Sequence, residues 1–177
     1  MNKKIIVGIS GASGAHIGFN VLKMLPRESI KHLVVSDHAN VVLAEEANIK
    51  KYKNSDIGAS IASGSYGADI MMITPCSMNT LAKIACGIAD DLITRAASVM
   101  IKENKKLLLA PREMPFSAIA LENMLKLSRL GVIIAPPVAA YYAQTETIAE
   151  MEDFFIGKWF DLLGIDHDLY KRWSSDD

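Results

Sequence analysis

A short apolar run, KKIIV, leads directly into GISGASGAHIG (residues 8–18), which holds four glycines and two serines in eleven residues. This junction constrains the fold more than any other stretch. A β-rich run, then small turn-forming residues, then Ala15, Phe19 and Leu22 at helical spacing read as strand, tight turn and helix. The helix is expected over 15–25, and Pro26 ends it.

The same alternation continues along the chain. Strands are expected at 4–9, 31–35, 69–74, 106–110 and 132–135. These runs lack polar alternation, as parallel strands buried on both faces do. Pro75 is expected to stop the third of them. The last helix opens at Thr147 with Glu150 three residues on, a capping box. Ile148, Met151, Phe155, Trp159 and Leu162 mark its apolar stripe, and Gly164 closes it. Residues 48–67, NIKKYKNSDIGASIASGSYG, read as a surface loop. The pattern predicts an α/β fold: a three-layer sandwich around a Rossmann-like, flavodoxin-like parallel sheet. With 177 residues it is expected to form a single domain over 1–177, the tail from about 165 packing on a neighbouring site.

Net charge is −1, so no global attraction to nucleic acid or to an anionic membrane is expected. No apolar run approaches the ~20 residues of a membrane span, and KKIIV is too short for a signal peptide. Cys76 and Cys86 make neither a disulfide framework nor a metal cluster. A cytoplasmic location is the expectation.

In such folds ligands bind beyond the C-terminal ends of the strands. Gly11, Ala12, Ser13 and Gly14 occupy that place after the first strand, ahead of a helix whose positive end favours an anion. The motif is neither G-x-G-x-x-G nor a P-loop. A phosphate or a flat cofactor close to the main chain fits it, and so does a tight turn without ligand. A second turn, TPCSMNT (residues 74–80), offers Ser77 and Asn79 for binding or for capping. Cys76 has no histidine near it in sequence and reads as a small buried residue. His16, His32, His38 and His167 show no ligand spacing.

Arg95 and Lys102 lie seven residues apart, on one helical face. LLLAPREMPFS then delivers Arg112 and Glu113 at the ligand-facing end of a buried strand, between two prolines. PPVAAYY offers Tyr141 and Tyr142 after the last strand. Arg95, Lys102 and Arg112 could together hold a phosphate dianion without a metal.

Taken together, GISGASGA, ASGS (62–65), PCS (75–77), DDLITRAA (90–97), PRE with LENMLKLS (111–128) and the terminal RW (172–173) resemble the UbiX-type flavin prenyltransferases, over nearly the whole chain. The resemblance implies a homo-oligomer, typically a dodecamer, that binds FMN between subunits. It implies transfer of a dimethylallyl group from dimethylallyl monophosphate to N5 and C6 of reduced FMN. Prenylated FMN would then serve a UbiD-type decarboxylase, in ubiquinone biosynthesis or aromatic acid decarboxylation.

By position, the resemblance assigns Gly11, Ala12, Ser13, Ser36, Ser77, Met78, Asn79, Thr80 and Arg112 to the flavin. It assigns Arg95, Lys102, Tyr142 and Lys158 to the prenyl phosphate, some from adjacent subunits. Glu113 matches the acid that assists phosphate departure, and Glu46 and Trp173 match residues lining the prenyl site. Ser13 and Glu46 would position the flavin edge or relay the proton lost from C6. Three departures stand out. Lys158 replaces the arginine of many relatives, Ile57 falls near an aromatic position, and the 46–62 loop is short. The alternatives are an FMN-dependent decarboxylase of the cysteine-decarboxylase type and a flavin carrier. The first would want a histidine in the middle loop, where ASGSYG has none.

Overall fold

The computed structural model describes residues 2–11, 13–36, 48–143 and 145–172. The chain gathers into two compact units, Met1–Pro136 and Pro137–Asp177. The first holds a six-stranded, wholly parallel sheet in the order β3-β2-β1-β4-β5-β6. Its strands are β1 (Lys4–Ile9), β2 (Ile30–Val35), β3 (Ile49–Lys53), β4 (Ile70–Cys76), β5 (Lys106–Pro111) and β6 (Ile133–Ile134). Among the described residues four helices lie between or beside them: α1 (Ala15–Met24), α2 (Met78–Ala85), α3 (Leu92–Lys102) and α4 (Ala118–Arg129).

The central strands are the apolar runs of the sequence, and β4 is buried at every position. Ile6, Met71, Ile73, Leu107 and Leu109 join Leu92, Ile93, Ala96 and Met100 of α3 in one core. Each fully buried aliphatic side chain contributes roughly 1.5–3 kcal/mol, so the runs that read as strands also hold the sheet together. On α1, Ala15, Phe19 and Leu22 are buried as expected. A methyl group on Gly18 would collide with the Thr74 carbonyl and with Ile9, so α1 packs on the sheet at a distance only glycine permits.

Two expectations need correction. Residues 48–67 are not simply a loop: they contain β3 and two 3-10 turns, Ser60–Ala62 and Gly64–Tyr66. The strand IKKYK is an edge with its three lysines exposed and Ile49 and Tyr52 half-buried. Lysines of that kind guard an edge against further pairing, and they hid the strand from a search for apolar runs. Nor does Pro75 stop β4, which continues to Cys76. The ladder to β5 shifts register between Ile73 and Cys76, where a residue without an N–H is tolerated. The Pro75 carbonyl instead accepts from Ser10 N at 3.1 Å.

The second unit is built on α5 (Ile148–Leu163). The Thr147 hydroxyl accepts from Glu150 N at 3.1 Å, and the Glu150 carboxylate accepts from Thr147 N at 3.2 Å, which forms the expected capping box. Gly164, at φ 66°, ends the helix. Residues 165–172 fold back on it.

Candidate active site

The strand order places a topological switch between β1 and β4. From β1 the chain runs outward to β2 and β3, then returns to β4 on the other side. Loops leaving β1 and β4 therefore lie side by side at the C-terminal edge, the binding position of this architecture. The first and second turns of the sequence are those two loops.

Direct contacts tie them together. Ser10 Oγ accepts from Ser77 N at 3.0 Å, and Gly11 N donates to Ser36 Oγ at 3.3 Å. A methyl group on Gly11 would lie 3.7 Å from Ser77 Cβ, and one on Gly14 3.7 Å from Arg112 Cδ. Four separate segments thus meet: the ends of β1 and β2, the start of α2 and the end of β5. Gly11 and Gly14 have φ of 102° and 80°, which leaves little room for any other residue.

Electrostatics give this meeting point its sign. Gly14 is the N-cap of α1 and brings no side chain to cap it, and the first turn carries no acidic residue. The positive end of the helix is joined there by the Arg112 guanidinium. Like charges converge on one place, an arrangement an anion would offset. α2 is different. Its N-cap Ser77 accepts from Thr80 N at 3.2 Å and donates to Thr80 Oγ1 at 3.0 Å. Met78 is half-buried, Asn79 exposed and Thr80 buried in the first turn of α2. Ser13 is exposed in the first turn of the sequence, and Ser36 half-buried. The groups present suit FMN: glycines that admit a flat ring and a cationic helix end for its phosphate.

Arg95, Ser98 and Lys102 form the outward stripe of α3, whose other face is core. They line a cavity of about 500 Å³ with Ala62, Ser63 and Gly64, the ASGS segment. Lys102 Nζ donates to Glu103 Oε1 at 2.6 Å. A methyl on Gly64 would strike the Glu103 carboxylate and come 3.1 Å from Lys102 Nζ. Arg112 does not line this cavity. Within one chain Arg95 and Lys102 therefore line this cavity, while Arg112 leaves β5 beside Gly14.

Glu113 is exposed next to Arg112, and its Oε1 accepts from Met114 N at 3.1 Å. In the second unit Tyr142 is exposed, its ring edge-to-face with Phe154 at 6.0 Å, and Lys158 projects from α5 into solvent. Ala12, Glu46 and Trp173 lie outside the described residues. Burial pushes the Cys76 thiol up to about 12, as suits a packed side chain and not a nucleophile. Sequence reasoning passed over Ser10, Ser63 and Ser98. Ser10 was detectable as the polar residue that ends an apolar strand. The other two needed the packing of the ASGS turn against α3.

Residues 1–157 match the Flavoprotein family, and the chain belongs to it. It is 52% identical to the flavin prenyltransferase UbiX of Helicobacter pylori, over 97% of this chain and 98% of that one. The structure of AnUbiX (PadA1) in complex with FMN and dimethylallyl pyrophosphate superposes with a TM-score of 0.92, at 38% identity over 99% of each chain. A dodecameric FMN-dependent UbiX-like decarboxylase from Escherichia coli O157:H7 gives 0.90 at 40% identity, over 97% of this chain and 100% of that one. Within the flavoproteins, this chain is a prenyltransferase of the UbiX family.

Proposed function

We propose that the chain transfers a dimethylallyl group from dimethylallyl monophosphate to N5 and C6 of reduced FMN. The allylic C–O bond breaks, phosphate leaves and the freed carbon bonds to N5, which gives up its proton; the remaining double bond then takes up a proton, its tertiary carbon bonds to C6, and C6 loses a proton. The observation that supports this reading is the pair of cationic places, one where Arg112 meets the start of α1 at Gly14, the other the cavity lined by Arg95 and Lys102. FMN has one phosphate, so a second cationic place leaves room for a second phosphorylated molecule.

Reduced FMN supplies the nucleophile, so no serine or cysteine nucleophile is required of the protein. Gly11, Ser13, Ser36, Ser77, Met78, Asn79, Thr80 and Arg112 hold the flavin, with Ala12 from the same turn. Arg95 and Lys102 meet the charge that grows on the departing phosphate, with Tyr142 and Lys158 as further donors. Glu113 hands that phosphate a proton. Glu46 and Trp173 line the prenyl group. The site is completed between subunits of a homo-oligomer, a dodecamer. The face of α4 supports association: only Leu127 of that helix is buried, while Ile119, Leu121 and Leu125 are exposed. The product passes to a UbiD-type decarboxylase in the cytoplasm. Among the described residues no helix is long and apolar enough to cross a membrane.

The test is anaerobic incubation with reduced FMN and either dimethylallyl monophosphate or the diphosphate, followed by mass measurement of the flavin. A C5 addition from the monophosphate supports the reading, and an unchanged flavin with both donors overturns it. Glu113→Gln is expected to slow transfer while FMN stays bound.

A further inference from the structure

The proposed chemistry leaves one tight polar cluster unused. Asp161, in the last turn of α5, accepts hydrogen bonds from three side chains of the segment that follows it. His167 Nε2 donates at 3.1 Å, Arg172 Nη2 at 2.7 Å, and the Tyr170 hydroxyl donates to the other oxygen. The His167 side chain is almost wholly buried, and its Nδ1 accepts from Leu169 N at 3.1 Å. That bond places the imidazole proton on Nε2, facing Asp161. Burial alone would raise the Asp161 carboxyl, but the bonds from Arg172, Tyr170 and His167 hold it well below the usual carboxylate range. A carboxylate with three donors on two oxygens is a fastening point, since only the ionised form accepts them all.

The fastening has a shape-matched bed. Phe154, Gly157 and Asp161 fall on one face of α5 at helical spacing. A methyl on Gly157 would come 2.7 Å from Tyr170 Cε1 and 2.9 Å from His167 Cε1, so the two rings lie on bare helix backbone. Tyr170 then packs against Phe154 with the rings tilted, 5.0 Å between centroids, and Phe154 meets Tyr142 edge-on at 6.0 Å. A continuous line of contact runs from Asp161 through Tyr170 and Phe154 to Tyr142. The residue after Arg172 in the chain is Trp173.

We infer that Asp161 is a positioning residue for the prenyl donor: by fastening residues 167–172 onto α5 it sets Tyr170 and Phe154, and through them the orientation of Tyr142. The inference rests on the assignment of Tyr142 to the donor phosphate. Asp161 itself touches no reactant.

The experiment is steady-state kinetics on the holoenzyme at saturating reduced FMN, with dimethylallyl monophosphate varied. Asp161→Asn, Tyr142→Phe and the double variant are compared, with FMN affinity measured separately. Asp161→Asn is expected to raise the donor KM about tenfold, a typical cost of misplacing one binding group, and to leave FMN affinity within about twofold. In the Tyr142→Phe background the same change should add about twofold or less, because both act through one contact. Gly157→Ala, which disturbs Tyr170 without touching the carboxylate, should reproduce the KM effect and stands in if Asp161→Asn does not fold. An unchanged KM, full multiplication of the two single effects, or a parallel loss of FMN affinity overturns the inference. A wild-type protein that adds no C5 unit to the flavin overturns the functional reading instead.

Discussion

Arg112 lies against the backbone of Gly14, so that a methyl group there would come within 3.7 Å of Cδ and 3.8 Å of Nε. The cation from the end of β5 thereby shares a place with the positive end of α1. Gly14→Ala faces both the side chain and a φ of 80°, a conformation that costs a residue with a Cβ about 1–2 kcal/mol. It should weaken FMN binding about tenfold or more, measured by quenching of flavin fluorescence. Arg112→Lys should also weaken it, since charge is kept but the two-pronged donor is lost. Equal affinity in all three proteins would remove this corner from the flavin site.

Gly18 tests the packing that holds the first turn in place. Its substitution by alanine meets the Thr74 carbonyl, backbone that has no freedom to withdraw, as well as Ile9. Alanine is ordinarily the better helix former by about 1 kcal/mol, so propensity alone predicts a gain. Overpacking against a strand reverses the sign, and a net loss of about 1–3 kcal/mol is expected in urea unfolding. A protein stabilised by Gly18→Ala would show that α1 can ride away from the sheet.

Much of this frame was legible in the sequence, and the failures have physical causes. β1 occupies the residues its apolar run marked, and the Thr147–Glu150 box forms as its spacing required. Gly11, Ser77 and Arg112 could be grouped in advance because each follows a strand of a parallel sheet, and such strands end on one edge. β3 escaped because its lysines are an edge device and not a core signal. The Asp161 cluster escaped because its partners are assembled by a chain reversal after Gly164, and no local pattern records what a reversed tail will meet. That Arg112 meets Gly14 while Arg95 and Lys102 line a cavity with the ASGS segment was likewise invisible. Helical spacing placed two cations on one face but said nothing of what that face looks onto.

His32 makes the stability of the fold depend on pH. The ring is buried on β2, with Tyr52 Oη 3.1 Å from Nδ1 and Tyr66 Oη 2.9 Å from Nε2. Burial, together with the charges of Lys50 and Lys4, pushes it down from the ordinary 6.5 to about 4. The folded protein keeps it neutral while the unfolded chain takes up a proton. Its contribution is complete above pH 6.5, falls as the pH drops, and is gone once the pH passes below about 4. The loss amounts to roughly 3 kcal/mol at most. Urea midpoints at pH 7 and pH 4.5 should drop more in the wild type than in His32→Gln, which has no proton to gain. Parallel drops would assign the acid sensitivity to carboxylates instead.

Lys158 is the clearest departure from the arginine that the family resemblance leads one to expect. It is exposed on α5, and both its neighbours in the chain, Gly157 and Trp159, are buried. An ammonium offers a phosphate a point charge, whereas a guanidinium offers two parallel N–H bonds. Lys158→Arg should therefore lower the KM for dimethylallyl monophosphate about threefold and leave kcat within about twofold, because the gain is in binding the donor. Lys158→Ala should raise the same KM about tenfold, with FMN affinity unchanged. If arginine, lysine and alanine give one KM, position 158 lies off the path of the phosphate.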